Sequence, residues 1–439
     1  MSAQLISILA LVAVFAVATT TSVNMGAVAF AAAFLVGTLA GGMSTDEVLD
    51  GFPGDIFVVL VGVTYLFAIA RANGTIDWLV TTAVRAVGGR LALIPWIMFA
   101  VTGALTAIGA VSPAAVAIVA PVALSCAARF GINPLLVGVL VVHGAQAGGF
   151  SPISVYGSIV NGVVERNGLP GDEVVLFLAS LGVNLAVAAA VFVVLGGLKI
   201  PRLAAATAPV TAGTAADADT DDTDDTADAA DAADAAEPEP GLNLERVLTL
   251  VGLVALTVLT LVFDLDVGLV AITTAVLLGL LSPGTHRRAV TEITWPTVLL
   301  ICGVLTYVGV LQEIGTIDYV GDAVSGIGAP LLAALVLCYI GAVVSAFASS
   351  VGLLGATIPL AVPFLAEGTV NPVAMVAALA VSATVVDVSP FSTNGAIVLA
   401  NAGDVDRERF FRRLATYGAI VVAAVPPLVW LLFVLPTTR

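Results

Sequence analysis

Apolar positions in this chain neither alternate with polar ones nor recur only at helical spacing. They come in near-continuous runs, from Leu5 to a segment ending near Leu435, parted by short polar stretches. A hydrocarbon core about 30 Å thick takes about 20 helical residues to cross, and runs of that order repeat throughout. They are too long and too uniformly apolar for the alternating strands of a membrane barrel, which leaves helices. In the first half the pattern predicts helices over about 3 to 22, 25 to 43 and 56 to 71, then a polar stretch, a hairpin over 91 to 128 broken at its middle, an overlong helix over 134 to 161, and a last helix over 172 to 196. In the second half the same series falls at about 245 to 263, 266 to 281, 295 to 312, the hairpin 329 to 366, the long helix 371 to 400, and 414 to 435.

The halves are also related residue by residue. Gly62-Val63 recurs as Gly303-Val304 and Gly74-Thr75-Ile76-Asp77 as Gly315-Thr316-Ile317-Asp318, both at an offset of 241. At an offset of 238, Asn133-Pro134 meets Asn371-Pro372, and Ser151-Pro152, Ser154 and Gly157 meet Ser389-Pro390, Ser392 and Gly395. Composition alone does not produce matches at one constant offset over such a span, so the chain is read as a duplication. A hairpin returns to the side it entered from, so each half has five crossing helices plus a re-entrant hairpin. An odd count of crossings makes the two repeats inverted. The expected fold is an all-α polytopic membrane protein with a first repeat over 1–199, a linker over 200–243 and a second repeat over 244–439.

Composition agrees: 59% of the 439 residues are hydrophobic, 10% are charged, and the mean hydropathy is +1.11, which makes lipid the main solvent. No basic residue precedes the first apolar run, so a cleaved signal peptide is not expected. Cys126, Cys302 and Cys338 lie in or beside apolar runs and read as small buried thiols. The net charge of -16 is concentrated: eleven acidic residues lie between Asp217 and Glu239, and without them it would be -5. That Ala, Asp, Thr, Glu and Pro tract has no apolar surface to bury and reads as a disordered, solvated linker. Thirteen of the fifteen basic residues fall on the linker's side of the predicted topology, and only Arg166 and Arg439 fall on the other. Because cytoplasmic loops collect Lys and Arg, the linker is expected inside a cytoplasmic membrane and both termini outside.

The polar chemistry lies where the helices break. A helix from Pro134 to Asn161 would be about 42 Å long, too long for the core unless tilted or interrupted, and Gly148-Gly149-Phe150-Ser151-Pro152 supplies the interruption. Asp387-Val388-Ser389-Pro390-Phe391-Ser392-Thr393-Asn394 breaks the partner helix in the same way. The hairpin tips form a second matched pair, Ser112-Pro113 and Ser349-Ser350, small and uncharged as a tip inside the membrane requires. Two tips and two breaks would converge on one midplane site whose helix N-termini and backbone N–H groups suit an anion. Ser112, Pro113, Ser151, Ser154, Ser349, Ser350, Ser389, Ser392, Thr393 and Asn394 are therefore the candidate substrate ligands. His143 and Asp387 lie close to the breaks, where an ionisable group is costly and by default functional, so they are the candidates for a coupling cation or proton.

At these residues the chain resembles the MatC-type dicarboxylate carriers, a malonate-transporter-like branch of the ion transporter superfamily that includes the divalent anion:sodium symporters. Gly51-Phe52-Pro53-Gly54-Asp55, Ile108-Gly109-Ala110-Val111-Ser112-Pro113 and Val142-His143-Gly144-Ala145-Gln146-Ala147-Gly148-Gly149-Phe150-Ser151-Pro152 carry the match. The resemblance implies a small dicarboxylate held between tips and breaks, a scaffold domain that dimerises, and elevator-type movement. It also implies a sodium ion near Ser112 and Ser350, although the Asn and Thr of the symporters' Ser-Asn-Thr tip motif are absent from both tips here. The coupling ion stays open between Na+ and H+. A sodium/proton antiporter or an oxyanion efflux permease on the same fold is the alternative. No cofactor and no nucleic-acid partner is expected. An intramembrane hydrolase is disfavoured, since there is no His-Glu-x-x-His and only His143 and His286 are available.

The linker is predicted to be cytoplasmic. Protease added to intact spheroplasts should leave it whole and cut it only in inverted vesicles, and the opposite pattern would refute the assigned topology.

Overall fold

The computed structural model describes residues 2–85, 90–200, 242–282, 289–317, 319, 330–346, 354–355, 357–359, 361–362, 365, 370–402 and 405–437. Most of the predicted linker, and of the second hairpin beyond its first helix, lies outside this set. Among the described residues every regular element is helical. The first half supplies α1 (Ala3–Thr20), α2 (Met25–Leu39), α3 (Thr45–Asp50), α4 (Gly54–Ala72), α5 (Thr75–Arg85), α6 (Ile94–Ala107), α7 (Ser112–Phe130), α8 (Pro134–Gly148), α9 (Val155–Arg166) and α10 (Glu173–Val194). The second supplies α11 (Leu244–Phe263), α12 (Val267–Leu281), α13 (Trp295–Glu313), α14 (Pro330–Ser345), α15 (Pro372–Val385), α16 (Thr393–Ala400) and α17 (Arg407–Val429), which runs on through a π turn at Trp430–Val434. Among the described residues, six helical stretches are long and apolar enough to cross a membrane: α4, α7, α10, α11, α13 and the Arg407–Thr437 run.

The long helices break where the sequence predicts, 134 to 161 dividing into α8 and α9 and 371 to 400 into α15 and α16. Three features differ from the expectation. The loop before α4 contains α3, set by a capping box in which Ser44 N–H donates to Glu47 (2.6 Å) and Glu47 N–H to the Ser44 hydroxyl (3.3 Å). Those bonds hold the Glu47 carboxyl below its ordinary range. The polar stretch after residue 72 is the amphipathic helix α5, which buries Ile76 and Val80. The last helix starts at Arg407, seven residues before the apolar run, because Asp406 caps it by accepting from Arg409 N–H at 3.0 Å and Glu408 pairs with Arg412 one turn on at 2.7 Å.

The packing groups mix the two halves. In one, α2 lies against α13 and α4 against α12. Paired glycines set both crossings: a Cβ on Gly303 would fall 2.1 Å from the Gly26 carbonyl oxygen, and one on Gly62 would fall 2.5 Å from the Gly268 oxygen. The contacts of α1 and α11 are exchanged in the same sense. Gln4 donates to the Ile314 carbonyl as Arg246 donates to the Asn73 carbonyl, both at 3.4 Å, while Ser7 meets Thr316 as Thr249 meets Asn73, both at 2.7 Å. At these positions the two halves contact each other reciprocally.

In the other group, α6, α7 and α10 surround α8, while α10, α14 and α17 pack on α15. Every side chain of α8 from Leu135 on is buried, as is every one of α15 from Ala374 to Val385. Outside, rows of large apolar side chains such as Val254, Val258, Leu261 and Leu269, Leu277, Leu280 are exposed, as a lipid-facing surface requires. The three cysteines are buried free thiols.

Substituting the glycine crossings should overpack them. Gly62→Ala and Gly303→Ala are each expected to destabilise the protein by about 1 to 3 kcal/mol, seen as a lower melting temperature in detergent. Gly182→Ala on α10, where an added Cβ meets nothing within 4 Å, should be neutral or slightly stabilising.

Candidate functional site

The site begins with close approach of α6 and α8. Gly144 and Gly148, one helical turn apart, let the backbones touch: a Cβ on Gly144 would lie 2.3 Å from the Phe99 carbonyl oxygen and one on Gly148 1.9 Å from that of Gly103. This seats the turn between α6 and α7 beside the end of α8. Gly109 makes the turn at φ 121°, a conformation L side chains rarely adopt, and Gly109, Ala110, Val111 and Ser112 are all buried. The Ser151 hydroxyl, in the first break, donates to the Ala107 carbonyl and ties the break to the turn.

The two breaks share one construction. Ser154 caps α9, accepting from Gly157 N–H at 3.1 Å while its hydroxyl faces the carbonyls of Gly149 (2.5 Å) and Ser151 (2.7 Å). Ser392 caps α16, accepting from Gly395 N–H at 3.4 Å and facing the carbonyls of Asp387 (2.5 Å) and Ser389 (2.7 Å). These partners correspond at the offset of 238. Each hydroxyl proton is therefore taken up by a carbonyl of its own break, and the two serines hold the breaks in shape instead of offering a free donor to an anion.

Between the breaks lies a buried polar cluster. Asn394 donates through Nδ2 to the Ser112 hydroxyl at 2.7 Å, and Gln146 through Nε2 to the Asp387 carboxylate at 3.0 Å and, more weakly, to Ser112 at 3.4 Å. Tyr156, at the start of α9, faces Ser112, Gln146 and Asp387. All five residues are at most 4% exposed. The amide donors are used but the amide oxygens are not: Gln146 Oε1 and Asn394 Oδ1 are buried without a hydrogen-bond partner among the described residues. Two amide oxygens, a carboxylate and two hydroxyls form an oxygen-rich set with no Lys or Arg, the donor chemistry of a hard monovalent cation or a proton.

Of the residues singled out from sequence, the structure brings Ser112, Asp387 and Asn394 together. Pro113 follows Ser112 in the first turn of α7, half-buried. Ser389 accepts from Phe391 N–H at 3.3 Å within its own break. Thr393 is exposed, unlike its buried neighbour Asn394, so it does not belong to the cluster. Ser349 and Ser350 lie outside the described residues. His143 stands apart from the carboxylate. Asn184 donates to Ser180, which turns its Oδ1 to His143 Nδ1 at 2.9 Å, and His143 Nε2 then accepts from the Tyr417 hydroxyl at 2.6 Å. Ser180 continues the chain to the Gln146 carbonyl at 2.9 Å. The imidazole is a neutral hub between α8, α10 and α17. Sequence reasoning assigned no role to Gln146, Tyr156, Asn184 or Tyr417. A signal existed for Gln146, an amide in an apolar helix one turn after His143 and on the same face.

Comparison with known proteins gives two findings. Residues 1–149 match the family model described as the dicarboxylate carrier protein MatC N-terminus. The fold is similar to the crystal structure of the Alcanivorax borkumensis YdaH transporter, with a TM-score of 0.56 and 16% sequence identity over 88% of this chain and 86% of that one. No curated protein matches the sequence. These findings point to a transporter rather than an enzyme, in keeping with the array of apolar helices of a multi-pass membrane protein.

The stitching role of the two serines sets their expected phenotype. Ser154→Ala and Ser392→Ala should each cost about 1 kcal/mol, the usual value of a helix cap, and lower the melting temperature. Thr393→Ala should leave it unchanged.

Proposed function

We propose that this protein is a secondary active carrier of a small dicarboxylate, of malonate or succinate size, driven by a cation bound at Asp387. The observation that carries this reading is the pair of unpartnered amide oxygens of Gln146 and Asn394 beside the Asp387 carboxylate, at the meeting of a hairpin tip and two helix breaks. The match of residues 1–149 to a dicarboxylate carrier model supports the substrate class.

An ionised Asp387 repels a dianion, so substrate and carboxylate cannot share this region unless the charge is neutralised. A sodium ion held by Asp387, Gln146 Oε1, Asn394 Oδ1 and Ser112, or a proton on Asp387, removes the repulsion. The dicarboxylate then meets the N-termini of α9 and α16 and the first turn of α7, whose dipoles favour an anion. Binding of cation and anion is coupled because each makes the other's charge tolerable. The reciprocal contacts of the halves suit two inverted repeats. The group containing α2, α4, α12 and α13 would be the scaffold and dimer contact, and the group around α8 and α15 the unit that carries substrate in an elevator movement.

The ends of α10 support the expected orientation. Near its N-terminus a cavity of about 520 Å³ is lined by Asp55, Glu165, Asp172, Glu173 and Asp266, while its other end borders Arg409, Arg412 and Arg413. The arginines gathered at one end are the distribution the positive-inside rule gives for a cytoplasmic face, while Arg166 at the other end pairs with Asp55. The same acceptor-rich cluster favours a second reading, a sodium/proton antiporter, in which Asp387 exchanges the two cations and no organic anion is carried.

Uptake of radiolabelled malonate, succinate and citrate into proteoliposomes, with sodium and proton gradients imposed separately, distinguishes them. Asp387→Asn should abolish gradient-driven uptake and retain exchange of substrate for substrate. Gln146→Ala should raise the cation half-saturation constant roughly ten- to a hundredfold, as loss of one contact to a charge implies. Cation exchange without uptake of any dicarboxylate would establish the antiporter instead.

A further inference from the structure

A second cavity lies away from the cluster, at the opposite end of α10 from the acidic one. It has a volume of about 730 Å³ and opens between the last turns of α10 and the first turns of α17. Arg409, Arg412 and Arg413 stand at its rim, and Val191, Val194 and Ile420 form its wall. The three arginines are spaced i, i+3, i+4 and Ile420 lies two turns further on, so one face of α17 is basic at its start and apolar along its length. The acidic groups at the rim are fewer than the basic ones. Asp406 lines the cavity but is engaged as the cap of α17, and Glu408 pairs with Arg412, while Arg409 and Arg413 have no ion-pair partner among the described residues.

Two of the three wall side chains face outward, and the third, Val191, is buried. Val194 is 80% exposed and Ile420 58% exposed, values natural for side chains that touch acyl chains. A cationic rim at the membrane border above an apolar trench open to the bilayer is complementary to one kind of molecule, with an anionic head and an aliphatic tail. A small dicarboxylate matches the rim but leaves the apolar trench unfilled.

We propose that this cavity binds an anionic glycerophospholipid, its phosphate on Arg409, Arg412 and Arg413 and an acyl chain along Val191, Val194 and Ile420. On the expected topology the site faces the cytoplasmic leaflet, where anionic lipids set the surface potential. The floor of the cavity makes the site more than an anchor. Tyr417 lines it, and its hydroxyl donates to His143 at 2.6 Å, which leads through Asn184 and Ser180 to the backbone of Gln146. The lipid therefore touches a side chain of α17 that is hydrogen-bonded into α8, the helix that contributes Gln146 to the cluster. This inference does not depend on which ion or anion is carried.

The test is native mass spectrometry of the full-length protein titrated with phosphatidylglycerol, with phosphatidylcholine as the neutral control. One phosphatidylglycerol per chain should be retained in preference to phosphatidylcholine. The combined Arg409→Gln, Arg412→Gln, Arg413→Gln variant should bind it roughly a hundredfold more weakly, since each basic residue contributes about a factor of five. Val194→Trp fills the trench from an exposed position, leaves the charges in place, and should also displace the lipid. It keeps the test decisive if the triple variant melts early. Equal retention of phosphatidylglycerol by the wild type and Val194→Trp, or by the wild type and a stably folded triple variant, overturns the proposal. Displacement of the lipid by millimolar succinate overturns it as well, because the cavity would then be a substrate vestibule.

Discussion

Everything in the site follows from breaking a helix where there is no water. In a bilayer interior a freed carbonyl or N–H has no solvent partner, and leaving it unmade costs several kcal/mol. Ser154 and Ser392 meet that constraint with one hydroxyl each, which faces two carbonyls of the broken turn and takes the N–H that starts the next helix. The repair is local, so the break can be kept rigid in the middle of the molecule. It also leaves the N-termini of α9 and α16 pointing at a common region, which an uninterrupted helix could not do.

The backbone of the breaks is symmetric and its chemistry is not. At the offset of 238, Asp387 corresponds to Gly149, Asn394 to Tyr156 and Thr384 to Gln146. The two breaks match in their serines, prolines and glycines, and only one of them carries a carboxylate. A second carboxylate at position 149 would put two like charges in one low-dielectric region, where one of them could not ionise. A single carboxylate among neutral amides avoids that repulsion.

The apolar helices and the positions of both breaks were legible in the sequence because each rests on a local rule: apolar length, and glycine and proline in a helix. The short α3, the amphipathic α5 and the early start of α17 were harder to read, since polar helices held by caps and ion pairs lack the apolar run that marks a span. The role of Ser154 and Ser392 was not legible at all. A cap and a substrate ligand require the same residue type in the same place, and only the positions of the neighbouring carbonyls separate them. The cluster joins Ser112 to Asn394 across 282 positions and Gln146 to Asp387 across 241. Such pairs follow from packing, chiefly from glycines at helix crossings, whose partners no local pattern identifies.

These contacts single out α17 as the element through which the membrane border and the site can affect each other. Its backbone passes the second break so closely that a Cβ on Gly418 would fall 3.2 Å from the Ser389 Cα, and the preceding residue, Tyr417, bonds His143 in α8. One turn of α17 therefore touches the second break directly and the first broken helix through a hydrogen bond. Closely packed interiors transmit displacement because they have no slack to absorb it, and the buried side chains of α8 leave no room for His143 to move independently of its helix. A shift of α17 at its arginine-bearing end would thus be felt at both halves of the cluster at once.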